Sequence, residues 1–177
     1  RGKLAHNAVV GTVMSNMGFI RFCEENGMRF EAAKVGDRYV LETMRQNDYN
    51  FGGEQSGHVI FLDFGTTGDG QLTGAHLLSL VHRREAKLSS LATLMTRFPQ
   101  VLVNVEVSNE GKLRFYTDRK IKEATQRVQN QLGRKGRILV RPSGTEPLLR
   151  VMVEGESEAE IQELANYVAD VIREQLV

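Results

Sequence analysis

Residues 101–107 read VLVNVEV, and the alternation is strict. Val101, Val103, Val105 and Val107 fall on one side of an extended chain, with Leu102, Asn104 and Glu106 on the other. Successive strand side chains point to opposite faces, so this pattern predicts an antiparallel strand with one face on a core and one face wet. An earlier run, AVVGTVM at residues 8–14, is almost continuously apolar, as a strand buried on both faces requires. A chain of 177 residues that holds both sheet environments predicts two small domains; the pattern changes near Pro99 and the boundary falls in residues 88–98.

Strand and helix patterns alternate in the first part. The opening RGKLAHN reads as the tail of a helix begun earlier. Asn16 caps a helix over residues 17–26 that Gly27 stops, residues 30–35 are extended, and Asp37 opens a helix with Val40, Leu41 and Met44 inward. Residues 51–53 read as a tight turn and 58–62 as a strand. Thr67 or Asp69 starts a long helix whose Leu72, Ala75, Leu77, Leu78, Leu80 and Val81 suggest deep burial. This order predicts an α/β layer. Residues 88–98 read as a connecting helix. Beyond it come the valine strand, a helix over 118–132 closed by Gly133, strands at 137–140 and 148–154, and a helix opened by a Ser157/Glu160 capping box. Ile161, Leu164, Ala165, Val168 and Ile172 line that last helix. Strand, helix, strand, strand, helix describes a compact α+β domain.

A formal net charge of +1 argues against a nucleic-acid or membrane-surface protein. The local clusters Arg83, Arg84, Lys87 and Arg134, Lys135, Arg137 lie at a helix end or a strand start and read as solvated charged faces. The single cysteine, Cys23, excludes an internal disulfide and reads as a buried filler. No apolar run is long enough to cross a bilayer and no signal peptide opens the chain, so the expected location is cytoplasmic.

Two stretches carry chemistry. RPSGTEPLLR, residues 141–150, gathers Arg141, Ser143, Gly144 and Thr145 and then Arg150. Guanidinium charge, hydroxyls and a glycine-permitted approach suit a phosphate; a plain hairpin with a surface arginine fits the composition equally. GGEQSGH, residues 52–58, spaces Glu54, Ser56 and His58 so that an extended backbone puts all three on one face. There they suit sugar hydroxyls and a proton transfer by His58; a Gly-rich turn with His58 hydrogen-bonded in the core is the other reading. TTGDG at 66–70, even with Asp63, holds too few hard ligands for Mg²⁺ and reads as a helix start. KVGDR at 34–38 is either a solvated turn, with Lys34, Asp37 and Arg38 in water, or a wall of the same cleft.

GEQSGH followed by RPSGTEP, with VGTVMSNMGF, KVGDRYVLE, TTGDGQLTG and FPQVLVNV around them, resembles the α-D-phosphohexomutases along essentially the whole chain. The likeness is greatest to the branch acting on glucosamine phosphates. It implies a three-layer α/β sugar-binding third domain over residues 1–87, truncated at its start. A connection at 88–98 and a phosphate-binding fourth domain, β-α-β-β-α and TATA-binding-protein-like, at 99–177 would follow. Glu54 and Ser56 would contact sugar hydroxyls, with His58 near the reacting oxygen. Arg141, Ser143, Gly144 and Thr145 would grip the non-reacting phosphate, and Arg150 is left open. The implied reaction interconverts glucosamine 6-phosphate and glucosamine 1-phosphate through a phosphoserine enzyme, Mg²⁺ and a bisphosphate, and feeds bacterial amino-sugar nucleotide and cell-wall synthesis. The phosphoserine run and the Asp-rich metal loop are absent from these residues, so the chain alone is expected to bind and orient without turnover. Its partners would be a hexosamine phosphate and the missing N-terminal domains, with a homodimer left open. Phosphomannomutase or phosphoglucomutase activity, or a non-catalytic sugar-phosphate-binding module, are the alternatives.

Overall fold

The computed structural model describes residues 3–177 and divides into two compact units, Arg1–Arg97 and Phe98–Val177.

In the first unit, β1 (Ala8–Thr12), β2 (Arg29–Ala33), β3 (Phe51–Gly53) and β4 (Val59–Phe61) form a sheet of order β2-β1-β3-β4. β1 is buried throughout and runs parallel to β2 and β3, while β4 returns antiparallel to β3. Helix α1 (Met17–Glu25) links β1 to β2 and α2 (Asp37–Gln46) links β2 to β3. Because the β1-to-β2 and β2-to-β3 crossovers travel in opposite directions across the sheet, right-handed connections put their helices on opposite faces. On one face Ala8, Val10 and Ile60 pack with Val40 and Met44 of α2. On the other, Phe19 of α1 meets Phe30 edge-on, and His76 of α3 (Gly70–Arg84) stacks on Phe61 at 4.5 Å. Helices therefore cover both faces, the three-layer α/β arrangement expected.

Several local expectations are corrected. Residues 51–53 form the strand β3 instead of a tight turn. A Cβ on Gly52 would lie 2.7 Å from Met44 Sδ and 2.9 Å from Val40 Cγ1, so this glycine marks close approach of α2 to the sheet. α3 begins as expected, with the Asp69 carboxylate accepting from Leu72 N, yet none of its residues is buried and Leu78 is 71 % exposed. Its apolar residues include the adjacent pairs Leu77–Leu78 and Leu80–Val81, which spread around the helix and leave no single stripe to bury. Ala5–Asn7 is a 3-10 turn with left-handed His6 and Asn7, not an α-helical tail; Arg1 and Gly2 lie outside the described residues. Only α4 (Leu88–Leu91) is helical in the segment expected to form a connecting helix.

In the second unit, β5 (Gln100–Glu106), β7 (Leu148–Glu154) and β6 (Arg137–Pro142) make an antiparallel sheet of order β5-β7-β6. Val105, Val107, Leu149, Val151 and Val153 face a core built with α6 (Arg119–Leu132) and α7 (Glu158–Leu176). Leu102, Asn104 and Glu106 on the other side are exposed, as the alternation demands. Asp118 caps α6 through Ile121 N, and Ser157 caps α7 through Glu160 N. One helix had no clear sequence signal: α5 (Asn109–Phe115), only seven residues long and capped by Ser108. Arg137, at the start of β6, is not part of a solvated face, because it pairs at 2.6 Å with Glu154, whose side chain is fully buried. Cys23 is buried and free, and burial pushes its thiol pKa up.

Candidate functional site

The first candidate site is the loop joining β3 to β4. Glu54 N donates to His58 O at 2.8 Å, Gly57 N donates to Glu54 O at 3.1 Å, and Gly57 has a φ of 102°. The backbone there is a hairpin loop, so Glu54, Ser56 and His58 do not share a face by strand alternation. The fold brings them together by another route. The Ser56 hydroxyl donates to Glu54 Oε2 at 3.1 Å, and Ser56 Oγ lies 3.4 Å from His58 Nδ1. His58 is exposed, which excludes a core histidine. An accessible imidazole, hydroxyl and carboxylate side by side can exchange hydrogen bonds with a polyol and pass a proton.

The loop's position follows from topology. β3 ends at Gly53, so Glu54 stands at the carboxyl end of a parallel strand beside β1. The chain leaves β1 to one side for β2 and returns to the other for β3, which makes the β1/β3 boundary the switch point of the sheet, where open α/β folds bind ligands. The turn after β2 reaches the same place, since Gly36 N donates to Glu54 Oε1 at 2.7 Å. KVGDR is thus a wall of this site through its backbone. Arg38 turns away to Glu42 at 2.9 Å, and Lys34 Nζ lies 5.7 Å from the Tyr39 ring centroid.

The second candidate site is the β6–β7 loop. Arg141 and Arg150 are direct partners across the antiparallel ladder. The Nε atoms of both are buried with no hydrogen-bond partner among the described residues. Burial, and after it the charge of Arg150, pull the Arg141 pKa down from the ordinary guanidinium range. Ser143 is 6 % exposed, and its hydroxyl accepts from Glu146 N at 3.2 Å. Gly144 and Thr145 lie exposed at the tip. A Cβ at Gly144 would meet nothing within 4 Å, so neither packing nor a positive φ within the chain requires glycine there. Sequence reasoning missed Lys112 of α5, whose Nζ donates to Ser143 O at 2.9 Å and also to Glu146 O. The contact spans 31 residues, and nothing in the local pattern of α5 announces it.

Metal chemistry does not fit these residues. Asp69 caps α3, Asp63 accepts from Asn50 Nδ2 at 2.7 Å, and no group of three or more His, Cys, Asp or Glu among the described residues is placed to hold an ion. No helix among them is long and apolar enough to cross a membrane.

Comparison with known proteins gives the family. Residues 1–98 match the family model described as phosphoglucomutase/phosphomannomutase, alpha/beta/alpha domain III, and residues 102–171 match that of the C-terminal domain. The chain is 52 % identical over 176 residues to a phosphoglucosamine mutase of Caldanaerobacter subterraneus subsp. tengcongensis, covering 99 % of this chain and 39 % of that protein. It is 49 % identical over 174 residues to one from Clostridioides difficile, covering 98 % and 39 %. The chain thus spans about two-fifths of the length of these relatives. In fold it is similar to Aspergillus fumigatus N-acetylphosphoglucosamine mutase in complex with GlcNAc-6P and magnesium, at a TM-score of 0.80, 18 % identity and coverage of 96 % of this chain and 39 % of that one. Through two consecutive domain matches, the chain belongs to the phosphoglucomutase/phosphomannomutase family.

Proposed function

We propose that this chain is the sugar- and phosphate-binding part of a phosphoglucosamine mutase, with residues 1–87 as the sugar domain, 88–98 as the connection and 99–177 as the phosphate domain. In this reading Glu54 and Ser56 hold sugar hydroxyls and His58 moves a proton at the reacting oxygen. Arg141, Ser143, Gly144 and Thr145 hold the phosphate that is not reacting. A phosphoserine outside these residues gives its phosphoryl group to the free sugar hydroxyl, whose proton leaves. The bisphosphate then returns its other phosphoryl group to the serine. Magnesium, present in the fungal complex, is assigned to residues outside this sequence. The reading also places the protein in the cytoplasm and makes a homodimer the assembly to test.

One observation carries this most directly: Arg141 stands against Arg150 beside the Ser143 hydroxyl and an open glycine tip. Glu146 offsets one of these two adjacent guanidiniums, at Arg150, and a phosphate dianion would offset the charge left on Arg141. The test is turnover of glucosamine, glucose and mannose 6-phosphates by the protein that joins this chain to the domains preceding it in its relatives. Glucosamine 6-phosphate should give the highest kcat/KM. A higher value for glucose or mannose phosphate would assign the sister activity. Binding without turnover of any of them would make the chain a sugar-phosphate-binding module.

A further inference from the structure

The β6–β7 loop already contains an anion. Glu146 Oε2 accepts from the Ser143 hydroxyl at 3.4 Å and from Arg150 Nη2. A single carboxylate oxygen therefore serves two of the donors that line the loop, while the Nε groups of Arg141 and Arg150 stay unsatisfied. A phosphoryl group offers three oxygens and up to two charges, so it can satisfy more of these donors than the carboxylate does. The loop backbone has little freedom to follow an exchange. Ser143 N donates to Leu148 O at 2.9 Å, Leu148 N donates to Glu146 O at 2.9 Å, and Lys112 Nζ clamps the carbonyls of Ser143 and Glu146. The Glu146 side chain, half exposed, is the part that can swing.

We propose that Glu146 is an internal stand-in for the ligand's phosphate, displaced from Ser143 and Arg150 when a phosphate enters, while Lys112 is the positioning residue that holds the loop backbone still. The inference deepens the reading of residues 141–145 as the phosphate site and rests on it. Arg150 thereby becomes a phosphate ligand only after Glu146 lets go. The competition lowers net affinity and speeds release, which suits a ligand that must leave and rebind in the opposite orientation.

The test titrates inorganic phosphate into the intact chain and follows the backbone amide resonances of residues 143–145, with the fold of each variant checked by its thermal melt. Glu146→Gln and Glu146→Ala should each tighten phosphate binding about tenfold, the scale of one charge-assisted bond. In an Arg150→Gln background that gain should vanish, because no guanidinium is left to be released. Lys112→Met should weaken binding and broaden the three amides, and Lys112→Arg should restore both. If the Glu146 variants bind no tighter, the exchange is overturned; if the gain persists in full without Arg150, it is overturned as well and plain charge repulsion replaces it. If phosphate moves none of the three amides in the unaltered chain, the phosphate-site reading falls as well. A shift in the unaltered chain with no gain on removing Glu146 overturns the exchange alone.

Discussion

The backbone amide of Gly36 donates to Glu54 Oε1, joining two loops 18 residues apart in sequence. The second carboxylate oxygen of Glu54 accepts from Ser56. Both oxygens are thus held by the protein's own donors, and under the proposed reading the conformational cost of orienting them for a sugar falls on folding. Gly36 has a φ of 128°, where a residue with a Cβ is strained.

Glu54→Gln should therefore lower kcat/KM of the full enzyme by at least about tenfold while shifting Tm little, since one charge-assisted contact to the sugar is lost. Gly36→Ala should reproduce part of that loss without touching the ligand. Steady-state kinetics and a melt on each variant check both. Unchanged kinetics in Glu54→Gln would place the sugar elsewhere.

The Arg137–Glu154 pair predicts a stability effect distinct from function. Glu154 is fully buried, so removing the Arg137 guanidinium takes a charged partner from a carboxylate in a poorly solvated place. Arg137→Met should cost about 3–5 kcal/mol in denaturant unfolding, and the double substitution with Glu154→Leu should recover most of it. A loss below about 1 kcal/mol would be the size of a surface pair and would contradict the burial.

How much of this was legible before the structure depends on how local the cause is. The valine alternation at 101–107, the caps Asn16, Asp69, Asp118 and Ser157, and the stop at Gly27 are dictated within a few residues, and each appears where the sequence places it. The pair Gly52–Gly53 misled because a glycine demanded by a helix crossing overhead looks the same in sequence as a glycine demanded by a turn. α3 is apolar in content but presents no single apolar stripe, so its composition does not translate into burial. In the site, the residue types of both loops were legible. The amide of Gly36, the clamp by Lys112 and the grip of Glu146 on Arg150 depend on tertiary placement, as does the hairpin that gathers Glu54, Ser56 and His58.

Cys23 supplies a pH-dependent prediction. Its thiol is buried and its pKa is raised by desolvation and, less, by Glu24. The folded state therefore holds the proton more tightly than the unfolded state. That contribution is fully present below the ordinary thiol pKa of about 8.5 and is lost as pH rises through the raised folded value. Stability should fall over that alkaline window, and Cys23→Ala should flatten this part of the profile at some cost in packing. Thiol labelling should follow the unfolding transition. Rapid labelling of the folded protein at neutral pH would contradict the burial.

Arg141 is the sharpest test of the proposed reaction. A mutase that moves a phosphoryl group between the two ends of one sugar must hold the bisphosphate in two opposite orientations. Whichever phosphate is not reacting needs a fixed anion site, and in the proposed reading Arg141 with Ser143, Gly144 and Thr145 provides it. Loss of its guanidinium removes charge-assisted bonds worth about 1.5–3 kcal/mol, which corresponds to roughly a ten- to hundredfold loss of affinity. Arg141→Ala in the full enzyme should therefore raise KM for the 6-phosphate and for the 1-phosphate alike. It should also let the bisphosphate escape before it turns over, so that added bisphosphate partly restores the rate. The assay runs in both directions, with and without added bisphosphate. A defect confined to one direction would mean that the loop serves one end of the substrate only, and the shared-cradle mechanism would fail.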